Sequence, residues 1–426
     1  MFKKLLPLLC LLFILFFGLY ARGFFSAKKE NIELIFEEGQ NCVKARKWHE
    51  AIKKFKRVVK LKSDSVAGHF YLALSYYNAG KTESAIEEYK RTIKLDPNNS
   101  ELCNRLGYIY YEIKDYKEAL KYFDLAITID KNNGDAWINI GNTYRQTGEE
   151  EKANKSYEQA VKLNPDKWEA HYNLGVASRE KKQIYKAISE FKRVIELKPD
   201  NSKAYLYLGQ IYIEQGKYIP AINHLKKVLI FEPKNVLALI YLGSAYMKIR
   251  NYKKALLELN KAYKIEPDNE LLHRNLAELY EYQGNLSKSI EENKSVIRLS
   301  HNLSYKGDAY FNLGRIYYRQ KKWKKAIAEF KSVIEVFPND LETYRLLAAC
   351  YMADGKTGYA IENYKKLLLF NPRDAYLHYN LAGAYSKTGQ EEAFVNELKK
   401  AYELSVSQGD TYLQEKIERH VEQLTK

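Results

Sequence analysis

From Asp135 to Pro165 the chain reads DAWINIGNTYRQTGEEEKANKSYEQAVKLNP. Trp137, Ile140, Gly141 and Tyr144 recur at i, i+3, i+4 and i+7, the spacing of one helical face and not the alternation of a strand. Beyond Gly148, Ala153, Tyr157 and Ala160 continue the pattern on a second stretch, and Pro165 closes it. Two short amphipathic helices joined at Gly148 are predicted, with Gly141 and Ala153 small where the pair must approach closely. Displaced by 34 residues in either direction, the frame recurs. If the glycine is position eight of each unit, that position holds Gly107, Gly141, Gly175, Gly209 and Gly243. Twelve residues further on stand Ala119, Ala153, Ala187, Ala221 and Ala255. Closing prolines include Pro97, Pro165, Pro199, Pro233, Pro267, Pro338 and Pro372.

A large residue, then Leu-Gly-x-x-Tyr, then Ala, an aromatic, Ala and Pro at these offsets resembles the tetratricopeptide repeat, a 34-residue helix–turn–helix unit. The resemblance implies an all-α fold, an α-solenoid wound as a right-handed superhelix of tandem repeats, each unit touching mainly its neighbours. Eleven units are expected across residues 32–408. The first is degenerate, with Cys42 in place of the tyrosine, as befits a terminal unit. The eighth departs further: Ala277 replaces Gly, Ser289 replaces Ala, and Asn293 stands where an aromatic is usual. A three-residue insertion around His301–Lys306 then sets Gly314 37 residues after Ala277, the one irregular joint of the array. Residues 409–426 are predicted to form an amphipathic helix, N-capped by Asp410, that covers the last apolar face.

The N-terminus follows a different pattern. Lys3 and Lys4 precede the apolar run Leu5–Tyr20, and Arg22 follows it. A charged stretch before an apolar one is the form of a secretory signal. As a helix the run would span about 24 Å, short of the roughly 30 Å hydrocarbon core. Residues 1–23 are expected to be a signal peptide or an N-terminal membrane anchor, and 24–31 a short linker. The protein is expected to be exported, to the periplasm or cell envelope, or held at the membrane by that segment alone.

Composition changes the picture little. The chain carries a formal charge of +16. Its lysine pairs, such as Lys253-Lys254 and Lys324-Lys325, open second helices interleaved with glutamates, so they read as solvated faces. No nucleic-acid-binding module is present, and nucleic acid is not an expected partner. The 37 tyrosines follow the repeat, at positions four, eleven, seventeen and twenty-four. Cys42, Cys103 and Cys350 lie in units that are not adjacent, beyond disulfide reach. Together with Cys10 in the apolar run, they read as small hydrophobes. His69, His171, His273 and His378 all hold position four, the slot of Trp137 and Tyr205, and read as packing residues. Phosphate-binding glycine loops, zinc-binding HExxH and nucleophile elbows do not occur. The expectation is no catalysis, no cofactor and no metal.

What remains is the groove that the family's first helices line. The resemblance implies that positions two, five, six, nine, twelve and thirteen are exposed there. Position six reads Asn139, Asn173, Asn275, Asn312 and Asn380, with Tyr207 and Tyr241 between; Asn142 holds position nine of its unit. An amide both donates and accepts, so such a row can pair with the backbone of an extended peptide. It resembles the asparagine ladder of O-linked N-acetylglucosamine transferases; the alternative is an idle, solvated row in an asparagine-rich chain. The carboxylate clamp of chaperone-binding members is matched only at Asn142, Asn173 and Lys203, with Ile138 and Tyr207 replacing two cations. Arg145, Tyr207, Tyr241 and Arg315 add the residue types that anchor interfaces. The function implied is a non-catalytic scaffold that binds extended segments of partner proteins. The tyrosines and basic charge leave open carbohydrate or acidic-polymer binding at the envelope.

Overall fold

The computed structural model of the chain describes residues 31–425; the predicted signal or anchor, and the linker up to residue 30, lie outside the described residues. Every described element is a helix, and the chain divides between Pro199 and Asp200 into two compact units. The first unit holds α1 (Ile32–Lys44), α2 (Trp48–Leu61), α3 (Val66–Asn78), α4 (Thr82–Leu95), α5 (Ser100–Glu112), α6 (Tyr116–Ile129), α7 (Gly134–Gln146), α8 (Glu150–Leu163), α9 (Trp168–Glu180) and α10 (Ile184–Leu197). The second holds α11 (Ser202–Glu214), α12 (Tyr218–Phe231), α13 (Val236–Lys248), α14 (Tyr252–Ile265), α15 (Glu270–Tyr282), α16 (Leu286–Leu299), α17 (Leu303–Arg319), α18 (Trp323–Val336), α19 (Leu341–Ala353), α20 (Thr357–Phe370), α21 (Ala375–Lys387), α22 (Glu391–Gln408) and α23 (Thr411–Thr425). In each unit odd-numbered helices pack on the even-numbered helix that follows, the helix–turn–helix pair that the periodicity predicts.

Local chemistry sets these boundaries. Asn31, Asn99, Asn133, Asn201, Asn235, Asn269 and Asn302 cap first helices, each side-chain oxygen accepting from a backbone N–H of the first turn. Much of the chain's asparagine is therefore structural, since a cap satisfies donors the helix leaves open. Between paired helices one residue must turn left-handed. Gly148 does so at φ 80°, whereas Lys114 and Lys182 hold the same position at 64° and 59°, where a side chain is strained.

The core of most repeats is a ring pressed into a gap. A Cβ on Gly141 would lie 2.5 Å from the Tyr157 ring, so position eight is small because position twenty-four is large. Phe55, Tyr89, Phe123, Tyr157, Phe191, Phe330 and Tyr364 hold position twenty-four, all buried. Leu225 and Leu259 take it in the sixth and seventh repeats.

The three-residue insertion becomes one more helical turn: α17 has 17 residues where α15 has 13. At the C-terminus, Leu413 N–H bonds the Asp410 carboxylate at 3.0 Å, and Leu413 and Ile417 of α23 pack with Ala382, Leu398 and Ala401. Cys42, Cys103 and Cys350 carry free thiols, and burial with the nearby Asp354 pushes the Cys350 thiol up to about 12. Among the described residues no helix is long and apolar enough to cross a membrane.

The position-four histidines form a repeated contact of their own. His69, His171, His273 and His378 are buried, three repeats apart. Each places Nδ1 2.5–2.6 Å from a glutamate, Glu88, Glu190, Glu292 or Glu397, on the following helix. Each Nε2 lies 2.8–3.0 Å from the carbonyl of Ser63, Pro165, Pro267 or Pro372. A carbonyl only accepts, so Nε2 carries a proton. Nδ1 faces the carboxylate.

Candidate functional site

Among the described residues each unit has a cleft walled by first helices. The second unit's is the larger, about 890 Å³, and it gathers four of the predicted residues: Tyr241 of α13, Asn275 of α15, and Asn312 and Arg315 of α17. All its lining residues come from first helices except Asn293, which reaches in from α16.

The walls of this cleft use their charges on one another. Arg319 donates to Glu281 at 2.8 Å, and Arg315 lies 3.6 Å from the same oxygen. Arg274 donates to Asp308 at 3.3 Å with its guanidinium 3.9 Å above the Tyr305 ring. Lys248 donates to Glu278 at 2.7 Å. The floor is neutral and hydrogen-bonded. Ser289 Oγ donates to the Ala277 carbonyl at 2.9 Å, and Asn293 Nδ2 donates to the Ser289 carbonyl at 2.9 Å. Asn312 Nδ2 lies 3.5 Å from Asn293 Oδ1, and Asn275 Nδ2 donates to the Leu271 carbonyl at 2.8 Å.

In the first unit a cleft of about 380 Å³ is lined by α3, α4, α5 and α7 with the start of α9. Asn139 lies in it and donates to buried Asn104 Oδ1 at 2.9 Å. Its floor is the ring of Tyr89, whose hydroxyl is pushed up to about 12 by burial. Glu101 pairs with Arg105 at 2.8 Å, and Lys167 with Asp135.

The other predicted residues are placed apart from these clefts. Asn142 Oδ1 accepts from Tyr157 at 2.8 Å, and Arg145 is half-buried on the same helix, α7. Asn173 is half-buried on α9, Lys203 exposed and Tyr207 half-buried on α11, and Asn380 exposed on α21. The clamp residues Asn142 and Asn173 belong to the first unit and Lys203 to the second. Of the large cleft's polar residues, Arg274, Glu281, Asp308 and Asn293 escaped sequence reasoning. The departure of Ser289 and Asn293 from the repeat was the signal for the last of these.

Family models described as tetratricopeptide repeat match residues 36–100 and 72–136, 307–340 and 375–405, and one described as TPR repeat matches 141–181. A model of anaphase-promoting complex subunit 3 matches residues 180–262. The chain is 29% identical over 102 residues to the CTR9 homolog of Arabidopsis thaliana, a match spanning 24% of this chain and 9% of that protein. Similar solved structures include a tetratricopeptide repeat protein from Parabacteroides merdae: 20% identity, TM-score 0.47, covering 59% of this chain and 98% of that one. The Cut9–Hcn1 assembly is 12% identical at TM-score 0.42, covering 91% of this chain and 96% of that one. With the strict 34-residue register and the helix pairs it produces, the family-model matches make the chain a tetratricopeptide-repeat protein.

Proposed function

We propose that the protein is a non-catalytic scaffold that holds extended segments of partner proteins along its first helices, above all in the second unit's cleft. One observation carries this reading: Tyr241, Asn275, Asn312 and Arg315, singled out as groove residues by their place in the repeat, line one cleft. Packed helices hold these side chains in position beforehand, so a segment that binds there loses its own freedom but little of the protein's. Acidic-polymer binding has less support, because the cleft's arginines are engaged with Glu281 and Asp308. The test takes peptides selected on the full chain from a phage-displayed library of short unconstrained sequences. Tyr241→Ala with Arg315→Ala is expected to weaken the selected peptides about tenfold or more, as loss of interface anchors does. Unchanged affinity would place the binding surface elsewhere.

The envelope is the proposed location, supported by Lys3, Lys4 and the apolar run Leu5–Tyr20. Fractionation should find the full chain outside the cytoplasm or at the membrane, and a chain lacking residues 2–23 in the cytoplasm. A full chain that stays cytoplasmic would refute the location and leave the cleft untouched.

A further inference from the structure

The repeat breaks its own packing rule in the eighth unit. Position twenty-four is a buried ring or leucine in the units on either side, and position twenty is alanine there. In the eighth these are Asn293 and Ser289, with 3% and 0% of their surface exposed. Burying a hydroxyl and an amide where alanine and leucine serve elsewhere brings no gain in packing, and is tolerated because both are hydrogen-bonded. The substituted floor opens into the 890 Å³ cleft, so the departure lies where a partner would bind.

The bonds also fix which way each amide faces. The carbonyls of Ser289 and Leu271 can only accept, so the amide nitrogens of Asn293 and Asn275 must be turned toward them. Asn293 therefore presents its oxygen to Asn312, and Asn312 must turn its own nitrogen down to meet it. The outcome is the same at both cleft asparagines. At each, one amide N–H is engaged within the protein, and the oxygen takes no partner among the described residues. An asparagine free to rotate presents either end to a ligand; these two are set to accept.

We infer that Asn293 is a positioning residue that orients Asn312, so that Asn275 and Asn312 accept hydrogen bonds from the main-chain N–H groups of an extended, uncharged segment of a partner protein. The uncharged character follows from the walls, whose lining carries three arginines, Arg274, Arg315 and Arg319, and three carboxylates, Glu278, Glu281 and Asp308, all in ion pairs. A strongly charged segment would have to break these pairs. The inference rests on the peptide-binding reading of the same cleft and specifies what that cleft recognises.

The test uses the peptides selected on the full chain, with binding and urea unfolding measured on each variant. Asn293→Leu restores the residue of the two preceding repeats, and is expected to unfold at no lower urea concentration while binding the peptides about tenfold more weakly. Asn312→Ala, on the cleft wall, is expected to lose the same factor, and the double variant no more than either single one. Peptides N-methylated along the bound stretch should lose affinity for the native chain, less for Asn312→Ala, where Asn275 alone still accepts, and little for Asn275→Ala with Asn312→Ala. If Asn293→Leu does not fold, the Asn312→Ala and N-methylation pair decides alone.

Native-like binding by Asn293→Leu, alongside loss in Tyr241→Ala, would overturn the positioning role and leave the cleft as the site. Selected peptides rich in acidic or basic residues would overturn the uncharged segment. Failure to select any peptide, or binding indifferent to every cleft variant, would bring down the peptide-binding reading and this inference with it.

Discussion

The two clefts are built on the same plan and differ at the same place. Both are walled by first helices and floored by position twenty-four of a second helix. In the first unit that position is Tyr89, a buried ring; in the second it is Asn293, a buried amide that needs Ser289 and Asn312 to satisfy it. The first cleft is about 380 Å³ and the second about 890 Å³, the latter beside the helix lengthened by the insertion. A repeat protein varies little in its core and much on its surface. Here the core itself varies, and it does so beneath the larger cleft. Packing and cleft are thus separated along one chain: repeats with a ring or leucine at this position fill the core, and the one with an amide there floors the larger cleft.

Exchanging the floors should break this symmetry most. Tyr89→Asn places an amide over Ala73 and Ala85, with no hydroxyl at position twenty to support it. The lost ring and an unsatisfied buried amide should together cost about 3–5 kcal/mol, read as a drop in urea midpoint of the full chain. The reverse exchange, Asn293→Leu, should leave the midpoint level or raise it. A mild Tyr89→Asn would show that position twenty-four tolerates an amide anywhere, and would remove the reason for treating Asn293 as special.

Changing pH sharpens the comparison from the other side, because the histidine–glutamate pairs fall two to each unit. Burial opposes the charge on His171, but the bonds to Glu190 and Pro165 outweigh it and hold its pKa above the ordinary 6.5. A raised pKa in the folded state contributes stability that is complete below 6.5 and is lost as pH rises through the folded value. Burial likewise opposes charge on Glu397, yet Lys400 and His378 hold it below its ordinary 4.5, so its contribution fades as pH falls through the folded value. Thermal unfolding should be highest between these limits and decline by a few degrees on the alkaline side. His171→Tyr, copying Tyr344, whose hydroxyl donates to the Pro338 carbonyl at 3.2 Å, should flatten part of that decline. An unaltered alkaline slope in this variant would show that the His171 pair does not carry the proton.

Most of the architecture could be read from the chain. A 34-residue period with glycine, alanine, aromatic and proline at fixed offsets leaves few ways to bury its apolar face, and the helices fall where the period puts them. The groove residues were legible only in part. Tyr241, Asn275, Asn312 and Arg315 share a cleft because they stand on first helices of neighbouring repeats, which the period conveys. Asn142 carries the same type of side chain, but its oxygen is bonded to the Tyr157 hydroxyl, a contact between helices that no single-helix pattern reveals. Arg274, Glu281 and Asp308 were missed for the same reason: their role comes from pairing across first helices. The floor residues announced themselves as exceptions to the repeat, though not as part of a site.

Photo-crosslinking tests the central claim, recognition in the second unit's cleft, most directly. A benzophenone-bearing residue would replace Tyr282, half-exposed at that cleft, or Tyr108, at the first unit's cleft, in the full chain carrying a selected peptide. The account predicts a crosslinked peptide from position 282, suppressed by Asn312→Ala, with little from position 108. Crosslinking from position 108 alone, or from 282 regardless of Asn312, would contradict it.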